Sequence, residues 1–186
     1  LLIHNRGKSM FLPAHGRGIA LPKDIKRILR KRAGIWDLPE LPDIGSTLDD
    51  CGAIGVSQKV SANLYGAKHG WYGVNGATGL LQAALLAMVR PGEAVLMPRN
   101  IHKSLINACL IGDFIPILFD LPFMSDRGHC LPPDCIWLKK VLNEVSKKGL
   151  KPVATVLVNP TYQGYSTNIS SLVKCIHEFD LPVLVD

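Results

Sequence analysis

Long hydrophobic runs are absent from this sequence. No run approaches the roughly 20 apolar residues that span a bilayer, and no apolar block follows a basic amino-terminal region as in a secretory signal. Low-complexity tracts are few, and hydrophobic residues make up 47% of the chain against 19% charged residues, which is typical of a globular protein. The 186 residues are enough for one domain or for part of a larger one. We therefore expect a soluble, cytoplasmic protein, with a plastid location open if a transit peptide precedes this sequence.

The cysteines show neither a disulfide framework nor a zinc pattern. They are scattered and odd in number: Cys51, Cys109, Cys130, Cys135 and Cys175. Free thiols are the expectation for such a set in a chain without a secretory signal. Cys130 and Cys135 lie beside His129, but their spacing fits no zinc site and no second pair exists. We therefore predict no metal.

Much of the net charge of +6 lies in one basic segment. Its basic residues are Lys23, Lys26, Arg27, Arg30, Lys31 and Arg32. They interleave with apolar residues at helical spacing up to about Ala33, which predicts the solvated face of a helix. No helix-turn-helix, zinc-finger or RNA-binding signature accompanies the segment, and aromatic residues do not interleave as in a base-stacking platform. Nucleic-acid binding is therefore only a minor alternative, and no membrane partner is predicted.

Residues 1–55 are predicted to form an irregular amino-terminal arm that contains this basic helix. Residues 1–22 have few periodic apolar positions. The segment from Leu38 to Gly55 is also irregular, because Pro39 and Pro42 each remove a backbone donor and restrain the preceding residue. No strand is expected in this arm.

Residues 56–186 are predicted to form part of a regular α/β domain. A helix with Val56, Val60 and Leu64 on one face comes first, and Gly66 is placed to end it in a left-handed conformation. Five short apolar runs then alternate with helical stretches. The runs are Trp71–Val74, Ala94–Met97, Ile115–Phe119, Val153–Val158 and Val183–Val185. This alternation predicts a three-layer α/β/α fold with a mostly parallel sheet.

The last two predicted helices carry clear apolar stripes. The stripes are Leu138, Val141, Leu142 and Val145 in the first helix and Ile169, Leu172, Val173 and Ile176 in the second. Asp134 is placed to start the first helix and Gly149 to end it, and Asn168 is placed to start the second.

The stretch Val74–Gln82 is predicted to bind a phosphate. Two glycines flank a small residue and a hydroxyl, so several backbone N–H groups can turn toward one anion without a Cβ in the way. Apolar residues at helical spacing follow, which predicts a helix whose positive dipole end faces the turn. The alternative is an ordinary strand-to-helix connection capped by Asn75 or Thr78.

Polar residues follow several of the predicted strands. Ligands of parallel α/β sheets bind outside the carboxyl ends of the strands. The glycine-rich turn is joined at that edge by His102, by the polar turn Asn159–Gly164 and by Asp186. A lone histidine is usually structural and a strand-end aspartate is often a cap, but their shared placement favours a ligand site.

Eight motifs in this order resemble the major domain of the Orn/Lys/Arg decarboxylases over nearly the whole chain. They are Phe11-Leu12-Pro13-Ala14-His15-Gly16-Arg17-Gly18, Asp37-Leu38-Pro39-Glu40-Leu41, Leu64-Tyr65-Gly66-Ala67, Val74-Asn75-Gly76-Ala77-Thr78-Gly79, Arg90-Pro91-Gly92-Glu93, Arg99-Asn100-Ile101-His102-Lys103-Ser104, Asn159-Pro160-Thr161-Tyr162-Gln163-Gly164 and Pro182-Val183-Leu184-Val185-Asp186. These are pyridoxal-phosphate enzymes of the aspartate-aminotransferase fold, fold type I. The resemblance implies a decarboxylase of arginine, lysine or ornithine that feeds polyamine synthesis and forms homodimers or larger homo-oligomers.

The resemblance also implies roles for individual residues. The implied cofactor-binding set is Gly76, Ala77, Thr78, His102, Thr161 and Asp186, and the implied catalytic set is His102 and Asp186. The backbone of the glycine-rich turn, with the Thr78 hydroxyl, would hold the cofactor phosphate. His102 would lie against one face of the pyridine ring, Asp186 would pair with the ring nitrogen, and Thr161 would line the pocket. A carboxylate there keeps the ring protonated, so that it can accept electrons when CO₂ leaves.

The chain departs from the family pattern at several points. Pro13-Ala14-His15-Gly16 stands where Pro-Gly-His-Lys is common, and Ala77 stands where threonine is usual. The family's covalent lysine lies in a Ser-x-His-Lys segment beyond the aspartate, and this sequence ends at Asp186. We therefore expect a poorly soluble fragment that is inactive alone. Two alternatives are open: a non-catalytic paralogue that keeps the fold, and another pyridoxal-phosphate lyase or aminotransferase.

Overall fold

The computed structural model describes residues 18–35 and 37–186, in two compact units that divide after Tyr72. The motif residues 11–17, which include Pro13 and His15, and most of the predicted arm at 1–22 lie outside the described residues. The predicted domain division after residue 55 stays a prediction.

The first unit contains two α-helices and no strand among its described residues. Helix α1 spans Lys23–Leu29 and buries no residue, and a 3₁₀ turn follows at Ala33–Ile35. The basic helix is therefore shorter than predicted, because no buried face supports its carboxyl-terminal turn and a short isolated helix is only marginally stable. Helix α2 spans Gly52–Leu64. The segment before it contains turns and no strand, as predicted, but the predicted irregular segment ran to Gly55 and residues 52–55 are already helical.

Helix α2 exposes its apolar face. Its buried residues are Gly55, Gln58 and Ala62. Its exposed apolar residues are Val56, Val60 and Leu64. The helix ends as predicted, since Gly66 follows it with φ of +64°.

The second unit, Gly73–Asp186, is built on a parallel sheet. Its elements in chain order are α3 (Gly76–Met88), β1 (Ala94–Pro98), α4 (Lys103–Gly112), β2 (Ile115–Phe119), β3 (Phe123–Met124), β4 (His129–Cys130), α5 (Cys135–Lys147), β5 (Pro152–Leu157), α6 (Ile169–His177) and β6 (Val183–Val185). Four strands pair in the order β2-β1-β5-β6, and all three pairs are parallel. This confirms the predicted α/β class and four of the five predicted strands. The short antiparallel ladder β3-β4 was not predicted.

The sheet separates two apolar layers. Val95 and Met97 of β1 belong to one buried cluster with Leu85 of α3 and Leu105 of α4. Leu96, which points to the other face of the strand, belongs to a second cluster with residues of α5 and α6. Helices therefore cover both faces, as the predicted three-layer arrangement requires.

The predicted strand at Trp71–Val74 is wrong. These residues are irregular, and the side chains of Trp71 and Val74 are 63% and 88% exposed. Gly73 lies against Leu80, where an added Cβ would come within 2.6 Å of the leucine Cγ. The Tyr72 hydroxyl is within hydrogen-bonding distance of the Ser57 hydroxyl, at 2.8 Å. Aromatic and β-branched composition predicted a strand, but local packing and a side-chain contact hold this run outside the sheet.

The predicted caps of the last two helices are confirmed. Asp134 Oδ1 accepts from the Trp137 N–H at 2.7 Å, and Asn168 Oδ1 accepts from the Ser171 N–H at 3.3 Å. Gly149 follows α5 with φ of +69°. These local contacts fix where the helices begin and end, and so where the strand-end loops lie.

Candidate functional site

A cavity of about 510 Å³ lies in the second unit, where the carboxyl ends of β1, β5 and β6 meet the first turn of α3. Its lining residues are Ala77, Thr78, Leu81, Asn100, Ile101, His102, Val158, Pro160, Tyr162 and Asp186. The cavity thus brings together Thr78, His102 and Asp186, which the sequence had placed at one sheet edge. It is the kind of position where ligands bind in open α/β sheets.

The amino terminus of α3 forms one wall of the cavity. The helix begins at Gly76, whose φ is +67°, a conformation that glycine adopts without strain. Asn75 occupies the cap position, but its side chain makes no capping hydrogen bond, and Thr78 lies within the helix. No described side chain caps the first turn, so its backbone N–H groups face the cavity without a side-chain acceptor. Such N–H groups, together with the helix dipole, favour an anion.

His102 caps helix α4 with one of its ring nitrogens. Its Nδ1 accepts from the Ser104 N–H at 3.3 Å and lies 2.8 Å from the Ser104 Oγ. A backbone N–H can only donate, so Nδ1 carries the lone pair and the neutral ring carries its proton on Nε2. The N–H donor of the neutral imidazole is therefore at Nε2, and His102 is one of the residues that line the cavity.

Asp186 follows β6 and is fixed by its backbone. Its N–H donates to the Leu157 carbonyl at 2.9 Å, and its carbonyl accepts from the Asn159 N–H at 2.9 Å. Within residues 18–35 and 37–186 its carboxylate has no hydrogen-bond or ion-pair partner. A carboxylate held on the cavity wall without a partner can bind a cationic N–H of a ligand.

The turn after β5 presents Tyr162 at the cavity. Thr161 is 4% exposed and closes the turn: its N–H donates to the Tyr165 carbonyl at 2.8 Å, and its Oγ1 accepts from the Tyr165 N–H at 3.2 Å. Pro160 and Tyr162 line the cavity on either side of it, and Tyr162 is fully exposed. The structure gives Thr161 a role in folding the turn, and its predicted contact with a cofactor stays a prediction.

Asn100 is a cavity residue that the sequence analysis did not select. Its Oδ1 is buried and has no hydrogen-bond partner in the described part of the chain. The only sequence signal was its position just after a predicted strand, two residues before His102. That signal was weak because a polar residue after a strand is usually part of a turn.

Other polar residues of the sequence do not reach the cavity. Lys103 is an exposed residue of α4. His129 contacts Tyr165, with its Nε2 3.1 Å from the phenol oxygen. All five cysteines are free. The described residues contain no cluster of three or more histidine, cysteine, aspartate or glutamate side chains that could hold a metal ion.

No helix in the described ranges is both long enough and apolar enough to cross a membrane.

The fold and the cavity define an α/β protein whose candidate site combines an uncapped helix amino terminus, a histidine and a carboxylate at one edge of a parallel sheet. The chain belongs to the Orn/Lys/Arg decarboxylase family, because the model of the family's major domain matches residues 3–186. This confirms the resemblance seen in the sequence motifs.

Named relatives agree with the family. The chain is 28% identical over 176 residues to the arginine decarboxylase of Bacillus subtilis, covering 94% of this chain and 35% of that enzyme. It is 31% identical over 144 residues to the ornithine decarboxylase of Haemophilus influenzae, covering 72% of this chain and 20% of that enzyme. A solved structure of the Escherichia coli constitutive lysine decarboxylase shares the fold, with a TM-score of 0.72 at 20% identity over 98% of this chain and 27% of that chain. The chain therefore spans about a third or less of these curated relatives.

Proposed function

We propose that this chain is the cofactor-binding part of a pyridoxal-phosphate-dependent decarboxylase of arginine, lysine or ornithine. The main support for the proposal is that Thr78, His102 and Asp186 line one cavity at the carboxyl edge of the sheet. Family membership supports the same reading. The product would be agmatine, cadaverine or putrescine, the amines that arginine, lysine and ornithine leave when they lose CO₂.

The free polar groups of the cavity fit pyridoxal phosphate. A doubly charged phosphate suits the uncapped first turn of α3 and the hydroxyl of Thr78. A pyridine nitrogen that carries a proton suits the unpartnered carboxylate of Asp186. The buried Oδ1 of Asn100 without a partner is a further sign that the wall is built for a polar ligand. The residues present therefore match the phosphate, the ring and the ring nitrogen of this cofactor.

Each residue would then have a defined task. Gly76, Ala77 and Thr78 hold the phosphate and orient the ring. His102 covers one ring face and presents a donor at Nε2, and Thr161 supports the pocket from the turn it closes. Asp186 holds a proton at the ring nitrogen. When bound, pyridoxal phosphate supplies the electron sink that takes up the electron pair left on the α-carbon as CO₂ departs.

Catalysis is proposed for the whole protein. The chain spans about a third of the Bacillus subtilis arginine decarboxylase, and we infer that turnover also needs the lysine with which the family holds its cofactor covalently, so that these 186 residues alone would be inactive. We also infer a homo-oligomer from the family resemblance, and the cytoplasmic location stays a prediction. The second candidate is a non-catalytic paralogue that keeps the cofactor pocket.

One experiment separates these candidates. The whole protein is incubated with pyridoxal phosphate, treated with borohydride and analysed by absorbance and mass spectrometry, and a parallel sample is assayed for CO₂ release from arginine, lysine and ornithine. Covalent retention of the reduced cofactor together with CO₂ release supports the decarboxylase. Binding with neither retention nor CO₂ release favours the paralogue, and absence of binding contradicts both.

A further inference from the structure

Asn100 stands on a turn that the backbone holds firmly. The preceding Arg99 donates its N–H to the Phe119 carbonyl at 3.1 Å, and its Nε lies 2.6 Å from Asp120 Oδ1. The following Ile101 donates its N–H to the Pro98 carbonyl at 3.4 Å. Both neighbours of Asn100 are therefore anchored at the ends of β1 and β2, and Asn100 is presented to the cavity between them.

The side chain of Asn100 makes no hydrogen bond to another residue in the described part of the chain. Its Oδ1 is buried without a partner, and no hydrogen bond of its amide nitrogen is found among the described residues. A buried polar atom that loses its water without gaining a partner destabilises the folded state by about 1–3 kcal/mol. A structural asparagine would satisfy at least one of these groups, as Asn168 does at the start of α6.

The charged residues around the cavity indicate which kind of ligand atom the Asn100 amide would bind. Asp186 is the only carboxylate among the lining residues, and no lysine or arginine of the described chain lines the cavity. An anionic ligand would therefore depend on neutral donors: the first turn of α3, the hydroxyl of Thr78, Nε2 of His102 and the amide of Asn100. The Oδ1 atom is buried, whereas the amide nitrogen is not among the buried atoms without a partner, so the nitrogen is the group of Asn100 that can donate to a ligand.

We propose that the Asn100 amide is a cofactor-binding group that donates a hydrogen bond to an anionic oxygen of pyridoxal phosphate. The inference rests on the proposed function, because it takes the cofactor as the ligand. It adds to the pocket a residue that neither the motif reading nor the family resemblance had assigned. The oxygen belongs either to the phosphate or to the ring phenolate, which share the same acceptor chemistry.

The test is the dissociation constant of the apo form of the whole protein for pyridoxal phosphate, with the thermal midpoint of that apo form measured in parallel. Asn100→Ala removes the amide without filling the cavity, and we expect it to weaken binding about tenfold. Its apo midpoint should stay within about 2 °C of the wild type, because no protein contact is lost. Asn107→Ala, at an exposed asparagine of α4, is the matched control and should leave binding unchanged.

Asn100→Asp keeps the size of the side chain and replaces the donor with a negative charge. We expect it to weaken binding more than Asn100→Ala does, because a carboxylate repels an anionic oxygen. Repeating the titrations with pyridoxal, which lacks the phosphate, identifies the oxygen. If the variants also bind pyridoxal more weakly than the wild type does, the contact is to the ring phenolate. If the variants and the wild type bind pyridoxal equally, the contact is to the phosphate.

Other outcomes would overturn the inference. A lower apo midpoint with unchanged affinity in Asn100→Ala would make Asn100 a structural residue. Wild-type affinity in Asn100→Asp would show that the amide does not donate. If the wild-type protein bound no pyridoxal phosphate, the proposed function would be wrong as well. If the wild type and both Asn100 variants bound it with the same affinity, only this inference would be wrong.

Discussion

The Nδ1 atom of His102 lies 2.8 Å from the hydroxyl oxygen of Ser104, a side chain that is 1% exposed. The same Nδ1 accepts the Ser104 backbone N–H. These contacts tie the imidazole to the first turn of α4 and do not involve Nε2. The orientation of His102 is therefore set by a residue two positions later in the chain.

Replacing Ser104 with alanine should loosen that imidazole. The variant removes one of the two contacts to Nδ1, and we expect the affinity of the whole protein for pyridoxal phosphate to fall about three- to tenfold. The absorbance of the bound cofactor should also change, because the His102 ring proposed to lie against it would move. Ser146→Ala, at an exposed serine of α5, is the control. Unchanged affinity and spectrum in Ser104→Ala would mean that the backbone N–H alone holds the ring.

Thr78→Ala should weaken phosphate binding selectively. The Thr78 hydroxyl is one side-chain donor at the α3 end of the cavity, while the backbone N–H groups remain in the variant. We expect affinity for pyridoxal phosphate to fall about tenfold and affinity for pyridoxal to stay the same. Thr78→Ser, which keeps the hydroxyl, should bind close to the wild type. An equal loss for both ligands would contradict the assignment of Thr78 to the phosphate.

Asp186→Asn should slow decarboxylation more than it weakens binding. An uncharged amide cannot stabilise a proton at the ring nitrogen as a carboxylate does, so the electron sink is weakened. We expect turnover of the whole protein to fall about 10- to 100-fold. Asp113→Asn changes an exposed aspartate at the end of α4, where its φ of +54° also suits asparagine, and should keep full activity. Equal turnover in the two variants would exclude the ring-nitrogen role.

The cysteines should differ in reactivity. Burial raises the pKa of the Cys109 thiol, and burial together with the neighbouring Cys135 thiol raises the pKa of Cys175. A raised pKa means less thiolate at a given pH, so alkylation of both should be slow near neutral pH and accelerate only at alkaline pH. The exposed Cys51 should be alkylated first. Mass mapping after brief iodoacetamide treatment checks this order, and alkylation of Cys109 as fast as Cys51 would contradict it.

Much of the second unit could be predicted from sequence because its signals are local. The apolar runs Ala94–Met97 and Val183–Val185 are strands, and Asp134 and Asn168 cap the helices that they were predicted to start. A cap depends on one side chain and the next turn of backbone, so the residues themselves carry the information. The common edge of His102 and Asp186 followed from parallel strand direction alone.

Other features depended on packing that no local pattern contains. Trp71–Val74 had strand composition, yet Gly73 lies against Leu80 and the run stays outside the sheet. The turn that Thr161 closes with Tyr165 was not predicted, while the contact of Thr161 with a cofactor stays a prediction. The feature that distinguishes Asn100 is a buried side-chain oxygen without a hydrogen-bond partner, which depends on the packing around it. These three features depend on contacts between residues brought together by the fold, so the spacing of apolar residues along the sequence does not predict them.

A crystal structure of the whole protein with pyridoxal phosphate tests the central claim most directly. We expect the phosphate within about 3 Å of the backbone N–H groups of residues 76–78, and the ring nitrogen at the same distance from the carboxylate of Asp186. We also expect His102 against one face of the ring. A cofactor bound elsewhere, or a phosphate turned away from the first turn of α3, would contradict the claim.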